Sequence, residues 1–156
     1  MSPLVLRAFR ASDRDFFAAL AGDERVVQYV GDGTTWSANR IDERVTLALH
    51  DIAPTQDGAV RWFIAECGQE PVGLFVTSRR GSMVEIGYWV APAHWGRGVA
   101  GAMLDAGLIQ TATTFGDVAA VARIDPANLA SARAVVRRGF RLTGRDDAGL
   151  DVYAGA

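Results

Sequence analysis

Residues 83 to 101 constrain the fold most. Met83 to Val90 (MVEIGYWV) has the β-branched and aromatic content of a strand, and Pro92 ends it. The chain passes through Trp95-Gly96-Arg97-Gly98 straight into a helical stretch, Gly98 to about Phe115, with Val99, Met103, Leu104, Leu108 and Ile109 on one face. Val118 to Ile124 then forms a near-continuous apolar strand, which needs both faces covered. Strand, helix and strand predict a β–α–β crossover. The helix start also matters chemically. Its first N–H groups lack intrahelical partners and carry a partial positive charge. Small residues at Gly96, Gly98, Ala100 and Gly101 would let a pyrophosphate approach that backbone, so the turn is a candidate anion site. The alternative is a tight turn whose glycines only meet φ/ψ demands.

Antiparallel patterns precede this crossover. Pro3 to Phe9 reads as a strand, Ser12 caps a helix to about Ala21, and a short helical turn covers Asp23 to Tyr29. Ser37 caps a helix over Ala38 to His50. Arg61 to Cys67 and Val72 to Ser78 form a hairpin across Gly68-Gln69-Glu70-Pro71. After the crossover, Pro126 and Asn128 open a helix through Arg138, and Gly139 stops it. Phe140 to Arg145 and Leu150 to Tyr153 make a last hairpin. The predicted order is β–α–α–β–β–β–α–β–α–β–β. It implies an α/β (α+β) fold: a mixed, mostly antiparallel sheet of about seven strands with helices on both faces, neither doubly wound nor a barrel. No repeat or linker interrupts residues 1 to 156, so one domain is expected.

Hydrophobic residues make up 49% and charged residues 22%, an ordinary globular balance. The net charge of −2 argues against avid nucleic-acid binding. No run has the apolar length of a membrane span and the N-terminus does not read as a signal peptide, so the cytoplasm is the expected compartment. A single cysteine, Cys67, excludes an internal disulfide framework and a multi-cysteine zinc site. It reads as a small buried hydrophobe. All 16 basic residues are arginine, which excludes a catalytic lysine and a P-loop lysine. His50 and His94 lack metal-ligand spacing, and no metal is expected.

The segment Val90-Ala91-Pro92…Trp95-Gly96-Arg97-Gly98-Val99-Ala100 resembles motif A of the GNAT superfamily of N-acetyltransferases, [QR]-x-x-G-x-[GA] after a strand ending in V-x-P. Trp95 stands where Gln or Arg is usual, which resembles the W-G-[KR]-G form of the RimJ/RimL-type branch, acetylating protein N-termini. Asn128-Leu129-Ala130-Ser131 followed by Gly139-Phe140 resembles that branch's N-x-x-S…G-F pattern, and Asp23 to Val30 its N-terminal region. The resemblance implies acetyl-CoA as cofactor. Its pantetheine arm would pair with backbone at Tyr88, Trp89 and Val90, and its pyrophosphate would sit on Gly96, Arg97, Gly98, Val99, Ala100 and Gly101. Asn128 would contact the cofactor, besides capping its helix.

Acetyl transfer needs a neutral amine and a route for its proton. It also needs donors for the oxyanion that develops at the carbonyl. Glu85 is an acid in an otherwise apolar strand, where burial is costly unless the group is paired or used. It is the expected general base, acting through water; pairing with an arginine such as Arg123 is the alternative. The tyrosine acid of many GNAT enzymes, seven residues after the Asn, is replaced by Val135. The branch pattern assigns Ser131 to assist thiolate departure instead; a first-turn serine bonded to helix backbone is the alternative.

The expected acceptor is a protein or peptide N-terminus. Alternatives are a small amine (aminoglycoside, polyamine or amino acid) or a non-catalytic acyl-CoA-binding module. An acidic cleft built from Asp23, Glu24, Asp32 and Asp42 would favour a polycation, although these residues also read as a solvated helical face. Tyr29, Trp36, Trp62 and Trp89 are candidate acceptor-pocket walls or core. A monomer or homodimer is expected.

Overall fold

The computed structural model describes residues 3–155. Its strands are β1 (Leu4–Ala8), β2 (Val60–Cys67), β3 (Glu70–Arg80), β4 (Met83–Val90), β5 (Ala119–Ile124), β6 (Arg141–Arg145) and β7 (Asp151–Ala154). Its helices are α1 (Arg14–Ala21), α2 (Glu24–Val27), α3 (Ala38–Leu49), α4 (Val99–Phe115) and α5 (Leu129–Val136). Short 3-10 turns cover Ala11–Asp13 and Pro92–His94. The seven strands form one sheet in the order β1-β2-β3-β4-β5-β7-β6. Only β4 and β5 run parallel, joined by α4, so the predicted mixed sheet and its single crossover are both present.

Three expectations shift. The first helix does not begin at Ser12. Asp13 takes the N–H of Arg10 at 2.8 Å and two bonds from Arg7 at 2.8 Å, closing a 3-10 turn before α1 starts at Arg14. The first hairpin turn is only Gly68-Gln69, both at positive φ (57° and 68°), and Glu70 and Pro71 belong to β3. Pro71 is tolerated beside an irregularity in the pairing between Ala65 and Glu66. Three helices, not two, precede β2, because α2 stands alone as one turn capped by Asp23.

The sheet's alternation divides the core. Ile64 and Leu74 pack with Phe17, Leu20 and Ile41 from α1 and α3. Their neighbours Phe63 and Phe75 pack with Val99, Met103 and Leu104 of α4. Helix α4 lies very close to the sheet. A Cβ at Gly107 would fall on the ring of Phe75. That approach sets how closely the middle of α4 lies on β3.

Candidate active site

The site begins with an incomplete strand pair. β4 pairs with β3 from Met83 to Val90, but with β5 only from Met83 to Ile86. Beyond Ile86 the two parallel strands part. Ala91 donates its N–H to Val72 on β3 at 2.9 Å. By alternation the backbone groups of Trp89 also turn to β3, while those of Tyr88 and Val90 face the open edge. Trp95 reaches back across the turn, and its Nε1–H donates to the Val90 carbonyl at 2.8 Å. The indole therefore ties the strand end to the glycine turn. The backbone of Tyr88 and the N–H of Val90 stay on the open edge.

The turn presents bare backbone. Gly98 caps α4 at φ 76° with no side-chain cap, and Gly96 also has φ 76°. A Cβ at either would have nothing within 4 Å, so the space over the helix start is open. Gly101 has a different partner. A Cβ there would stand 2.8 Å from Arg138, whose guanidinium bonds the Gly101 carbonyl (3.0 Å) and Asp105 (2.8 Å). Arg97 is exposed in the turn. A cavity of about 420 Å³ lies over this surface, lined by Val90, Gly96, Gly98, Ala100, Asn128 and Ser131, among others. Uncapped helix donors, open space over two left-handed glycines and a free strand edge fit the pyrophosphate and amide groups of acetyl-CoA.

Three side chains meet at the inner end. Tyr88 donates its hydroxyl to Ser131 Oγ at 3.0 Å, and Ser131 donates its N–H to Asn128 Oδ1 at 3.3 Å. Asn128 is thus the helix cap that its position before α5 predicted. Ser131 Oγ is held by a phenol from β4 and keeps its own hydrogen to donate. Burial pushes the Tyr88 phenol above its ordinary value, against the opposing pull of Ser131 and the charge of Arg138, so it is a protonated donor at neutral pH. The motif resemblance implies only a backbone role for Tyr88. The period of the strand contained the missing signal: Tyr88 alternates with Gly87 and Trp89, and so faces α5. Val135, where a tyrosine is usual, is fully buried.

Glu85 lies on the opposite face of the sheet. Its carboxylate stands 3.4 Å from Arg80 and 3.8 Å from Arg123. Arg123 is held by Asp146 at 2.6 Å, and Asp146 is fixed by N–H bonds from Leu150 and Ala148. Those backbone bonds, outweighing burial, keep the Asp146 carboxyl below its ordinary range, with Arg123 adding to the effect. Both readings of Glu85 are therefore compatible with its place: it has arginine neighbours, at distances longer than a tight pair. It borders a cavity of about 360 Å³ with Trp36, Trp62, Trp89 and Tyr29 also on the wall.

A smaller space of about 150 Å³ lies between the two, in the strand gap, lined by Gly87, Tyr88, Arg123 and Ser131 among others. Tyr29 and Trp89 border all three spaces. Ser131 lines the first and the smallest of these spaces and Glu85 only the third, so the two stand on opposite faces of the sheet with Tyr29 and Trp89 on the walls between them. The acidic cleft does not form. Asp23 caps α2 and pairs with Arg25 at 2.7 Å, Asp42 pairs with Arg14 at 2.6 Å, Asp32 bonds Thr34 at 2.7 Å, and Glu24 is exposed. None of the four borders these cavities.

The fold is shared with solved acetyltransferases. A spermidine N-acetyltransferase from Vibrio cholerae, solved with CoA and spermine, superposes with TM-score 0.80 at 21% identity over 97% of this chain and 92% of that one. The aminoglycoside acetyltransferase AAC(6')-Ib, solved with ribostamycin and CoA, gives 0.80 at 17% identity over 98% and 92%. The GNAT domain of a Streptomyces lividans protein (S. lividans PAT) gives 0.75 at 19% identity over 96% and 88%. None of the curated proteins matches the sequence. The model of the acetyltransferase (GNAT) domain family matches residues 3–141, and the chain belongs to that family of acetyl-CoA-dependent N-acetyltransferases.

Proposed function

We propose that the protein moves an acetyl group to a primary amine that enters from the α1–α3 face, with Glu85 as general base and Ser131 assisting the leaving thiolate. Bound at β4 and the start of α4, acetyl-CoA supplies an activated acetyl thioester. The observation that supports this reading is the strand gap: Ser131 lines the space in it, and Gly87, Trp89 and Arg123 on its wall also line the cavity that Glu85 borders. An amine arriving protonated must lose its proton, and Glu85 borders the side it enters. Ser131 donates its hydroxyl hydrogen toward the sulfur while Tyr88 donates to Ser131. A phenol raised above its ordinary value is a weaker acid than a thiol, near pKa ~8.5, so this pair stabilises a thiolate by hydrogen bonding rather than protonating it outright.

The motif resemblance favours a chain N-terminus as acceptor, and the polyamine and aminoglycoside enzymes that share the fold take small amines; a primary amine is common to all of them. The test is release of free thiol from acetyl-CoA with a panel of amines, including peptides with free N-termini. Amine-dependent release is expected, together with N-acetylated product. Tight acetyl-CoA binding with no amine-dependent release from any member would overturn the catalytic reading.

A further inference from the structure

The acceptor cavity is walled by arginine. Arg40, Arg44, Arg80 and Arg123 all border it, and Glu85 is the only carboxylate on the same wall. Glu85 stands near Arg80 at 3.4 Å, and Asp146 engages Arg123 at 2.6 Å. Arg40 and Arg44 have no carboxylate within ion-pair distance among the described residues. They lie four residues apart on α3, and both stand over the Trp36 ring, at 3.8 Å and 5.6 Å from its centroid. Trp36 packs edge-on against Trp89 at 5.3 Å, and Trp89 shares its strand face with Glu85. The indole Nε1–H of Trp36 is itself buried without an acceptor. This wall offers hydrogen-bond donors and positive charge in a chain whose net charge is −2.

Resting on the amine-acetylating function above, we infer that the acceptor is a small primary amine that also carries an oxyanion, a carboxylate or a phosphate. The guanidinium forks of Arg40 and Arg44 match either group. An acceptor oriented with its anion on α3 points its amine along the Trp36–Trp89 wall toward Glu85. The same positive field disfavours an ammonium and so eases deprotonation of the amine before attack. It repels a polyamine or an aminoglycoside, and the carboxylates that could have attracted one are engaged elsewhere or exposed.

The test is the thiol-release assay with matched amines: ω-amino acids and their carboxamides, phosphoethanolamine and ethanolamine, spermidine, and ribostamycin. The oxyanion-bearing member of each pair is expected to have kcat/KM about 10- to 100-fold above its uncharged partner, the range a charge-assisted hydrogen bond supplies. The carboxylate and phosphate pairs, compared, say which oxyanion fits. Arg44→Glu and the double variant Arg40→Glu/Arg44→Glu should collapse that ratio toward one, with melting curves recorded to confirm folding. If the double variant does not fold, the single variant at an exposed position and a salt titration of the wild-type ratio read the same charge term. Spermidine or ribostamycin outpacing every oxyanion-bearing amine would overturn the inference while leaving amine acetylation in place. Equal rates within each pair would overturn it too. No turnover with any amine would instead strike the catalytic reading itself.

Discussion

The two cavities on either side of the strand gap are built from opposite materials. At the start of α4 the floor is backbone, an uncapped helix start, two left-handed glycines and a free strand edge, with side chains such as Tyr88, Trp95 and Ser131 at its margin. Under α3 it is side chain: indoles and guanidinia from α3, β2, β3, β4 and β5, and from the chain between α2 and α3. A backbone surface of this kind suits groups that every acetyl-CoA presents, and only small residues leave it bare. A side-chain surface can change its charge one residue at a time without moving the strands. The same fold can therefore keep its cofactor and exchange its acceptor, as the spermine-bound and ribostamycin-bound neighbours of this chain illustrate.

Substitutions on each side should break this contrast in different ways. The largest effect belongs to Gly98→Asp. Aspartate tolerates left-handed backbone better than most residues, so the helix should survive, while its carboxylate sits against the anion site. Acetyl-CoA binding by calorimetry should fall below detection; unchanged affinity on folded protein would remove the site from α4. Glu85→Gln comes next. It should keep acetyl-CoA affinity and lose turnover by about 10²–10⁴-fold near neutral pH, the range general-base catalysis supplies. Because a protonated amine needs the base and a free amine does not, the loss should shrink as pH rises. An equal loss at both ends of a pH–rate profile would make Glu85 a partner of Arg80 and Arg123 and nothing more.

Ser131→Ala should lower kcat by about 10²-fold or less, with little change in the acetyl-CoA KM, the low end for acid assistance. Tyr88→Phe should lower it by less, and the double variant should cost no more than Ser131→Ala alone, because the phenol acts through the serine. Additive losses would separate the two hydroxyls. The smallest effect is Trp95→Phe, which removes one hydrogen bond to Val90. Acetyl-CoA affinity should drop by a few-fold, in keeping with roughly 1 kcal/mol for such a bond, with amine preference untouched. A change in amine preference would mean that the two cavities are less independent than their construction implies.

The same contrast explains what could be read from the amino-acid sequence. The strand, turn and helix of the cofactor side are contiguous from Met83 to Gly101, so spacing alone placed them, down to the bounds of β4. Asn128 was legible as a cap because a helix cap is local, whereas Ser131 was singled out by the motif resemblance. The arginine wall was not legible. Arg123 could be foreseen beside Glu85, but Arg40, Arg44 and Arg80 come from α3 and β3, and only the packing of α3 and the pairing of β3 with β4 bring them to the same cavity wall. The acidic residues near α2 and α3 kept two readings for a related reason, and the solvated face is the one found: a local cap such as Asp23 and a cleft-lining acid look alike until their partners are seen. Tyr88 lay in between, since its face was predictable and its partner was not.

Gly107 makes α4 a lever. Eight residues separate it from Val99, about 12 Å of helix at 1.5 Å per residue. Where Phe75 presses on the missing side chain, the helix rests on the sheet as a beam rests on a fulcrum. One added methyl at Gly107 would lift the beam there and swing its far end, carrying the N–H groups at Val99 and Ala100 away from β4. A substitution remote from every reacting atom should then weaken acetyl-CoA binding measured by calorimetry, and a smaller residue at position 75, as in Phe75→Leu, on the Gly107→Ala background should restore it.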